Sequence, residues 1–149
     1  MTIEQSLTLQ QFFPYQLTKL QAAISDSIAQ IYTGKFNLTR QEWRILAILA
    51  SNSPLTAKEI GTQANLEKMP ASRAIQRMDN KALLVKTANK HDKRSSLLQL
   101  SSKGIALYQE LEPLVLAREQ QLLSVLTSDE RQLINDIMQR LHQQAQQID

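Results

Sequence analysis

Leu55-Thr56-Ala57-Lys58-Glu59-Ile60 and, after five intervening residues, Leu66-Glu67-Lys68-Met69-Pro70-Ala71-Ser72-Arg73-Ala74-Ile75-Gln76-Arg77-Met78 read as two short helices joined by a tight turn. Thr56 and Glu59 have the spacing of a capping box, each side chain satisfying the other's backbone N–H, and Leu55 and Ile60 stand where a hydrophobic staple needs them. Asn65 suits the left-handed conformation that ends a helix, a task glycine usually performs. Leu66 then packs the turn. The second helix spans about Glu67 to Lys81, with Pro70 in its first turn, where a missing N–H breaks no intrahelical bond. Ala71, Ile75 and Met78 form its buried stripe.

After Lys81 the period changes. Leu83-Leu84-Val85-Lys86-Thr87 and Ser96 to Leu100 read as two short strands of a hairpin with a polar, basic tip. So short a pair needs helices beneath it. On the other side, Leu38-Thr39-Arg40-Gln41-Glu42-Trp43 repeats the box-and-staple device and opens a helix that stops near Asn52-Ser53-Pro54. Before it, Leu17, Leu20, Ile24, Ile28 and Ile31 give one apolar helical face, with Pro14 marking a bend or a start and Gly34 a stop. Beyond the hairpin, Ser101 or Ser102 caps a helix carrying Ile105, Tyr108 and Leu111, which Pro113 kinks or interrupts. Thr127-Ser128-Asp129-Glu130 caps a last helix with Leu133, Ile137 and Leu141 on one side.

The fold class expected is therefore mainly α with a small two-stranded β-wing: a winged helix-turn-helix, a DNA-binding arrangement, flanked by N- and C-terminal helices. The division expected is 1–36 for the N-terminal dimerisation helix, 37–103 for the winged helix-turn-helix and 104–149 for the C-terminal dimerisation helices. The apolar faces of the flanking helices need cover, and a second copy of the chain supplies it most economically.

Charge points the same way. The 149 residues carry a net charge of +3, but Thr56 to Lys103 holds ten basic residues against four acids, while the rest is acidic on balance. A basic middle between acidic flanks suits a polyanion; a solvated face without a partner is the plainer alternative. The chain has no cysteine and only two histidines, His91 and His142, in unlike contexts. That excludes a disulfide framework and a thiol sensor, and argues against a zinc site. No Gly-rich phosphate loop, GxSxG or HExxH occurs, and Glu110 and Glu112 fall on opposite sides of a helix, so neither an enzyme nor a cofactor is expected. No apolar run approaches bilayer length, and Met1 to Ser6 lacks the basic start of a secretory signal. A cytoplasmic protein with no membrane partner is expected.

Ser72, Arg73, Gln76 and Arg77 fall off the buried stripe of the second helix in two i, i+4 pairs, so all four can face a major groove. Gln can read adenine and Arg guanine, each with two hydrogen bonds. Thr56, Lys58 and Lys68 are the phosphate candidates; at Lys68 the helix dipole adds to the attraction. The hairpin tip, Lys90, His91, Asp92, Lys93 and Arg94, suits the negative potential of a narrow minor groove, with Asp92 steadying Arg94. An exposed polar helix face and a solvated turn would look alike taken singly; their combination with the capped helix and tight turn favours DNA.

Leu38-Thr39 with Glu42-Trp43-Arg44-Ile45-Leu46, then Leu55 to Gly61, Ala71-Ser72-Arg73, Asp92-Lys93-Arg94-Ser95 and Leu100-Ser101 with Gly104, taken together, resemble the MarR family of winged-helix transcriptional regulators. The resemblance covers about Thr39 to Tyr108. It implies a homodimer joined by its terminal helices on a pseudo-palindromic operator in double-stranded DNA. It also implies repression, often relieved by a small aromatic or anionic effector. By position it assigns Ser72, Arg73, Gln76 and Arg77 to the major groove and Arg94 to the minor groove. Two departures stand out: the family's wing commonly has Asp at the position of Asn89 and Arg at that of His91. A neutral His91 weakens the phosphate grip and makes binding somewhat pH-dependent, or is incidental. Trp43 is a candidate for lining an effector pocket, although stapling alone accounts for its place. A protein-interaction module that keeps the fold without specific DNA binding is the competing reading.

Overall fold

The computed structural model describes residues 6–148. The reading of the first five residues as lacking a secretory start therefore lies outside the described residues. A single 3-10 turn, Leu9–Gln11, precedes α1 (Phe13–Thr33), α2 (Arg40–Ser51), α3 (Ala57–Ala64) and α4 (Lys68–Asn80). The strands β1 (Leu84–Ala88) and β2 (Ser96–Leu100) follow, then α5 (Ser102–Leu123) and α6 (Ser128–Gln147). The chain is mainly helical with one two-stranded wing, as expected. It divides into two compact units, one ending at Val115 and one beginning at Leu116.

Local chemistry sets the boundaries. Each of Thr39, Thr56 and Thr127 accepts a hydrogen bond from the backbone N–H three residues on, and Glu42, Glu59 and Glu130 return it. All three boxes are formed. α1 starts at Phe13 with Pro14 in its opening turn and gives way to Gly34, so the proline marks a start. Asn65 sits at φ 56°, ψ 47°, and the N–H of Leu66 donates to the Gly61 carbonyl at 2.8 Å, closing the turn between α3 and α4. α5 runs unbroken through Pro113. A proline inside a helix forfeits one hydrogen bond; Leu111 and Val115, buried on either side of it, keep the segment anchored.

Two features of this region have no simple sequence signal. Ala82, just past the end of α4, takes φ 60°, and the N–H of Leu83 donates to the Met78 carbonyl at 3.0 Å. This is the left-handed helix ending usually given to glycine. At the start of α5 Gly104 lies so close to the chain that an added Cβ would stand 2.4 Å from the Leu83 carbonyl oxygen.

The core of the first unit sits between α2, α3, α4, the wing and α5, with Ile45, Leu46, Ile60, Met78, Leu83 and Leu111 fully enclosed. α4 buries Ala71, Ile75 and Met78, as its pattern predicts, and Ala74 with them. β1 and β2 pair antiparallel with Leu84 opposite Leu100 and Ala88 opposite Ser96. Leu55 adds a bridge to Leu98, exchanging N–H···O bonds of 3.0 and 2.8 Å. The residue before the Thr56 cap is thereby stitched to the wing. Leu17, Leu20 and Ile24 on α1 are exposed, and so are Leu133, Ile134, Ile137, Met138 and Leu141 on α6.

Candidate nucleic-acid interface

Ser72, Arg73 and Gln76 stand exposed on α4, the side away from its buried stripe. Gln76 donates from Nε2 to Asn80 Oδ1 at 3.0 Å, which lays its amide along the helix. Arg77 is placed differently. Its Nε donates to Glu42 Oε1 at 2.9 Å and its Nη2 reaches Thr39 Oγ1 at 3.5 Å, tying α4 back to the start of α2. Periodicity puts Arg77 on the reading face; a carboxylate on another helix draws its guanidinium inward.

Glu42 is the centre of that cluster. Its side chain is 1% exposed, yet each oxygen is satisfied. Beyond Arg77 it accepts from Lys81 Nζ at 3.0 Å and from the Thr39 N–H at 3.1 Å. Burial pushes the carboxyl pKa up, but the hydrogen bonds from Lys81, Thr39 and Arg77, with the charge of Lys81, outweigh it and hold the group below its ordinary value. Lys81 Nζ also donates to the Asn37 carbonyl at 2.7 Å. α4 is thus fixed at its C-terminal end while its N-terminal half is free to meet a partner.

Two clefts flank that free half. One of about 550 Å³ runs between α3 and α4 and collects Lys58, Thr62, Lys68 and Ser72 on its walls. The other, about 450 Å³, lies between the start of α3 and the wing and is lined by Thr56, Lys58, Lys86, Asp92 and Arg94. Lys58 borders both, so the fold brings two of the phosphate candidates to Ser72 and two to the wing. Thr56 is less free than its neighbours: its Oγ1 already accepts from the Glu59 N–H. Lys86, 3.4 Å from Asp79, shares the wall of the second cleft with Asp92 and Arg94, a placement that arises only once the wing is folded.

At the tip Lys90, His91, Asp92, Lys93 and Arg94 are all exposed. Asp92 Oδ1 accepts from the Arg94 backbone N–H at 2.9 Å, and among the described residues no ion pair joins the two side chains. Asp92 therefore shapes the turn and leaves the guanidinium loose. Asn89 ties the base of the loop, donating to Ser95 Oγ at 3.0 Å and accepting from the His91 N–H at 3.1 Å.

Trp43 is half-buried and stacks with Tyr32 of α1 at 5.7 Å and Tyr108 of α5 at 6.5 Å. The Tyr108 hydroxyl pKa is raised by burial and by the neighbouring Glu112 carboxylate. Trp43 at its staple position and Tyr108 on its helical stripe are separate local signals in the sequence; the fold brings the two rings together. Among the described residues no group of three potential metal ligands occurs, and no helix is long and apolar enough to cross a membrane.

A short capped helix, a tight turn, a second helix with an exposed polar and cationic face, and a two-stranded wing with a basic tip define the reading head of a DNA-binding transcription regulator. A sequence profile describing the MarR family matches residues 36–95. The HTH-type transcriptional regulator FarR of Neisseria gonorrhoeae is 30% identical over 105 residues, covering 70% of this chain and 72% of that one. The crystal structure of the PcaV transcriptional regulator of Streptomyces coelicolor in complex with its natural ligand superposes with a TM-score of 0.80 at 21% identity, covering 94% of this chain and 98% of that one. The transcriptional repressor CouR bound to a 23-mer DNA duplex gives 0.80 at 23% identity, covering 92% and 99%. The chain belongs to the MarR family, whose members are DNA-binding transcription regulators and not enzymes.

Proposed function

We propose that the chain acts as a cytoplasmic homodimeric repressor of nearby genes, bound to a pseudo-palindromic operator and released by a small aromatic or anionic effector. The functional division follows as 1–36 and 104–149 for dimerisation and 37–103 for DNA. One observation carries the reading: the exposed row Ser72, Arg73 and Gln76 on α4 stands beside clefts lined by Lys58, Lys68 and Arg94. In this reading Ser72, Arg73 and Gln76 meet base edges, Lys58 and Lys68 meet phosphates with the Thr56 end of α3, and Arg94 enters the minor groove with Lys90, His91 and Lys93 around it. Arg77 contributes by holding α4 through Glu42. The exposed apolar rows of α1 and α6 support pairing of two copies. The ligand-bound structure of PcaV and the DNA-bound repressor CouR support the effector and the operator respectively. Trp43, with Tyr32 and Tyr108, is the proposed aromatic wall of an effector site.

A gel-shift titration against the DNA flanking the protein's own coding region tests the reading. Saturable binding is expected. Arg94→Ala should weaken specific binding by about 1–3 kcal/mol, the scale of one good groove contact. Equal, weak binding to any duplex, unchanged in Arg94→Ala and Arg73→Ala, would sink the proposal and favour a protein-interaction role.

A further inference from the structure

Met69 lies in the first turn of α4 and is 58% exposed. Among the described residues between 37 and 103, Val85 on β1 is the other large apolar side chain left open to solvent. A lone exposed apolar residue is ordinary on a protein surface. Met69 differs in where it stands. Ser72, Arg73 and Gln76 follow it at i+3, i+4 and i+7, so the four residues share one face of the helix. Three of them are the polar base-reading set, and the fourth is a flexible, polarisable thioether.

The N-terminal residues of a recognition helix are those that reach base edges. Guanine, adenine and cytosine present hydrogen-bonding atoms in the major groove; thymine adds a C5 methyl group, which apolar side chains contact. Arg73 and Gln76 can answer the hydrogen-bonding edges. They leave a thymine methyl without an apolar partner, and the side chain that fits it is Met69, whose unbranched stem adapts to the methyl's position. A purely phosphate-gripping first turn would have no use for a large apolar side chain held out in solvent between Lys68 and Ser72.

We propose that Met69 is a specificity-determining residue whose thioether packs on the C5 methyl of a thymine in the major groove. The inference rests on the reading of α4 as the recognition helix. The full chain is first used to select binding sites from a random-sequence DNA duplex library. Each thymine of the selected duplex is then replaced in turn by uracil, which pairs identically and lacks only that methyl, and affinities are read by fluorescence anisotropy.

At one thymine position uracil should weaken binding about fourfold, the scale of one buried methyl group. Met69→Ala should bind the thymine and uracil duplexes equally at that position, and Met69→Leu should keep the preference. Both duplexes are titrated with the same preparation, so the ratio does not depend on the folded fraction. A thymine-to-uracil ratio in Met69→Ala equal to the wild type's, or no position sensitive to uracil, overturns the assignment of Met69 and leaves the DNA reading standing. A selection that enriches no sequence overturns both.

Discussion

Arg73 and Arg77 are four positions apart on one helix, and the structure gives them different work. Arg73 is exposed; Arg77 is bound to a buried carboxylate 35 positions away in sequence. The two substitutions to alanine should therefore separate. Arg73→Ala should lower DNA affinity with little change in urea midpoint, and Arg77→Ala should lower the midpoint; the reverse pattern would contradict the placement. Helical spacing made both arginines legible as outward-facing, but spacing carries no information about a partner on another helix, so the diversion of Arg77 could not be read. Glu42 carries a local signal as half of a capping box, whereas its second task depends on Arg77 and Lys81, distant in sequence, and leaves no such trace.

The lowered pKa of Glu42 fixes the sign of its pH dependence. A carboxyl held lower in the folded than in the unfolded chain adds stability in full above the ordinary carboxylate range, and the benefit is lost as pH falls through the lowered value. At neutral pH Glu42→Gln should be less stable by about 2 kcal/mol, the scale of losing charge-assisted hydrogen bonds. The gap to the wild type should close in acid, measured by urea denaturation across pH; a gap independent of pH would mean that the carboxylate charge is not what holds the cluster.

Among the elements, the starts of α2, α3 and α6 were legible because a capping box is written within four consecutive residues. The wing was legible because its apolar period changes after Lys81. The helix ending at Ala82 was not, since alanine gives no turn signal, and the left-handed conformation is imposed by the packing of Leu83 behind it. That position holds recoverable stability. Ala82→Gly should stabilise the chain by about 0.5–1 kcal/mol, the left-handed penalty of alanine less the extra unfolded freedom of glycine. Gly104→Ala should act oppositely, costing about 1–3 kcal/mol, because its Cβ would meet the Leu83 carbonyl, a backbone atom that cannot swing aside. Thermal melts of both variants check the pair, and a neutral Gly104→Ala would refute the close approach. The bridge from Leu55 to Leu98 joins residues far apart in sequence and gave no sign beforehand, although it pins the helix-turn-helix to the wing.

For the whole molecule, the segregation of charge was legible by counting, because it is a property of composition. A basic reading head implies binding that weakens steeply with salt, with a log–log slope near −0.9 for each phosphate neutralised. A flat response would mean that the basic middle does not touch a backbone. The terminal helices gave their apolar rows from periodicity, and the exposure of Leu133, Ile137 and Leu141 on α6 is what pairing with a second copy would relieve. Ile137→Glu should shift the protein to a slower-sedimenting species at micromolar concentration. A wild type that already sediments as a single chain at that concentration would remove the basis for a paired regulator.

The single indole of Trp43, stacked on rings contributed by α1 and α5, equips the chain with its own optical gauge. Its emission colour and quenching register the spacing of three helices at one spot, so any compound that wedges them apart or clamps them together announces itself without a dye or a tag.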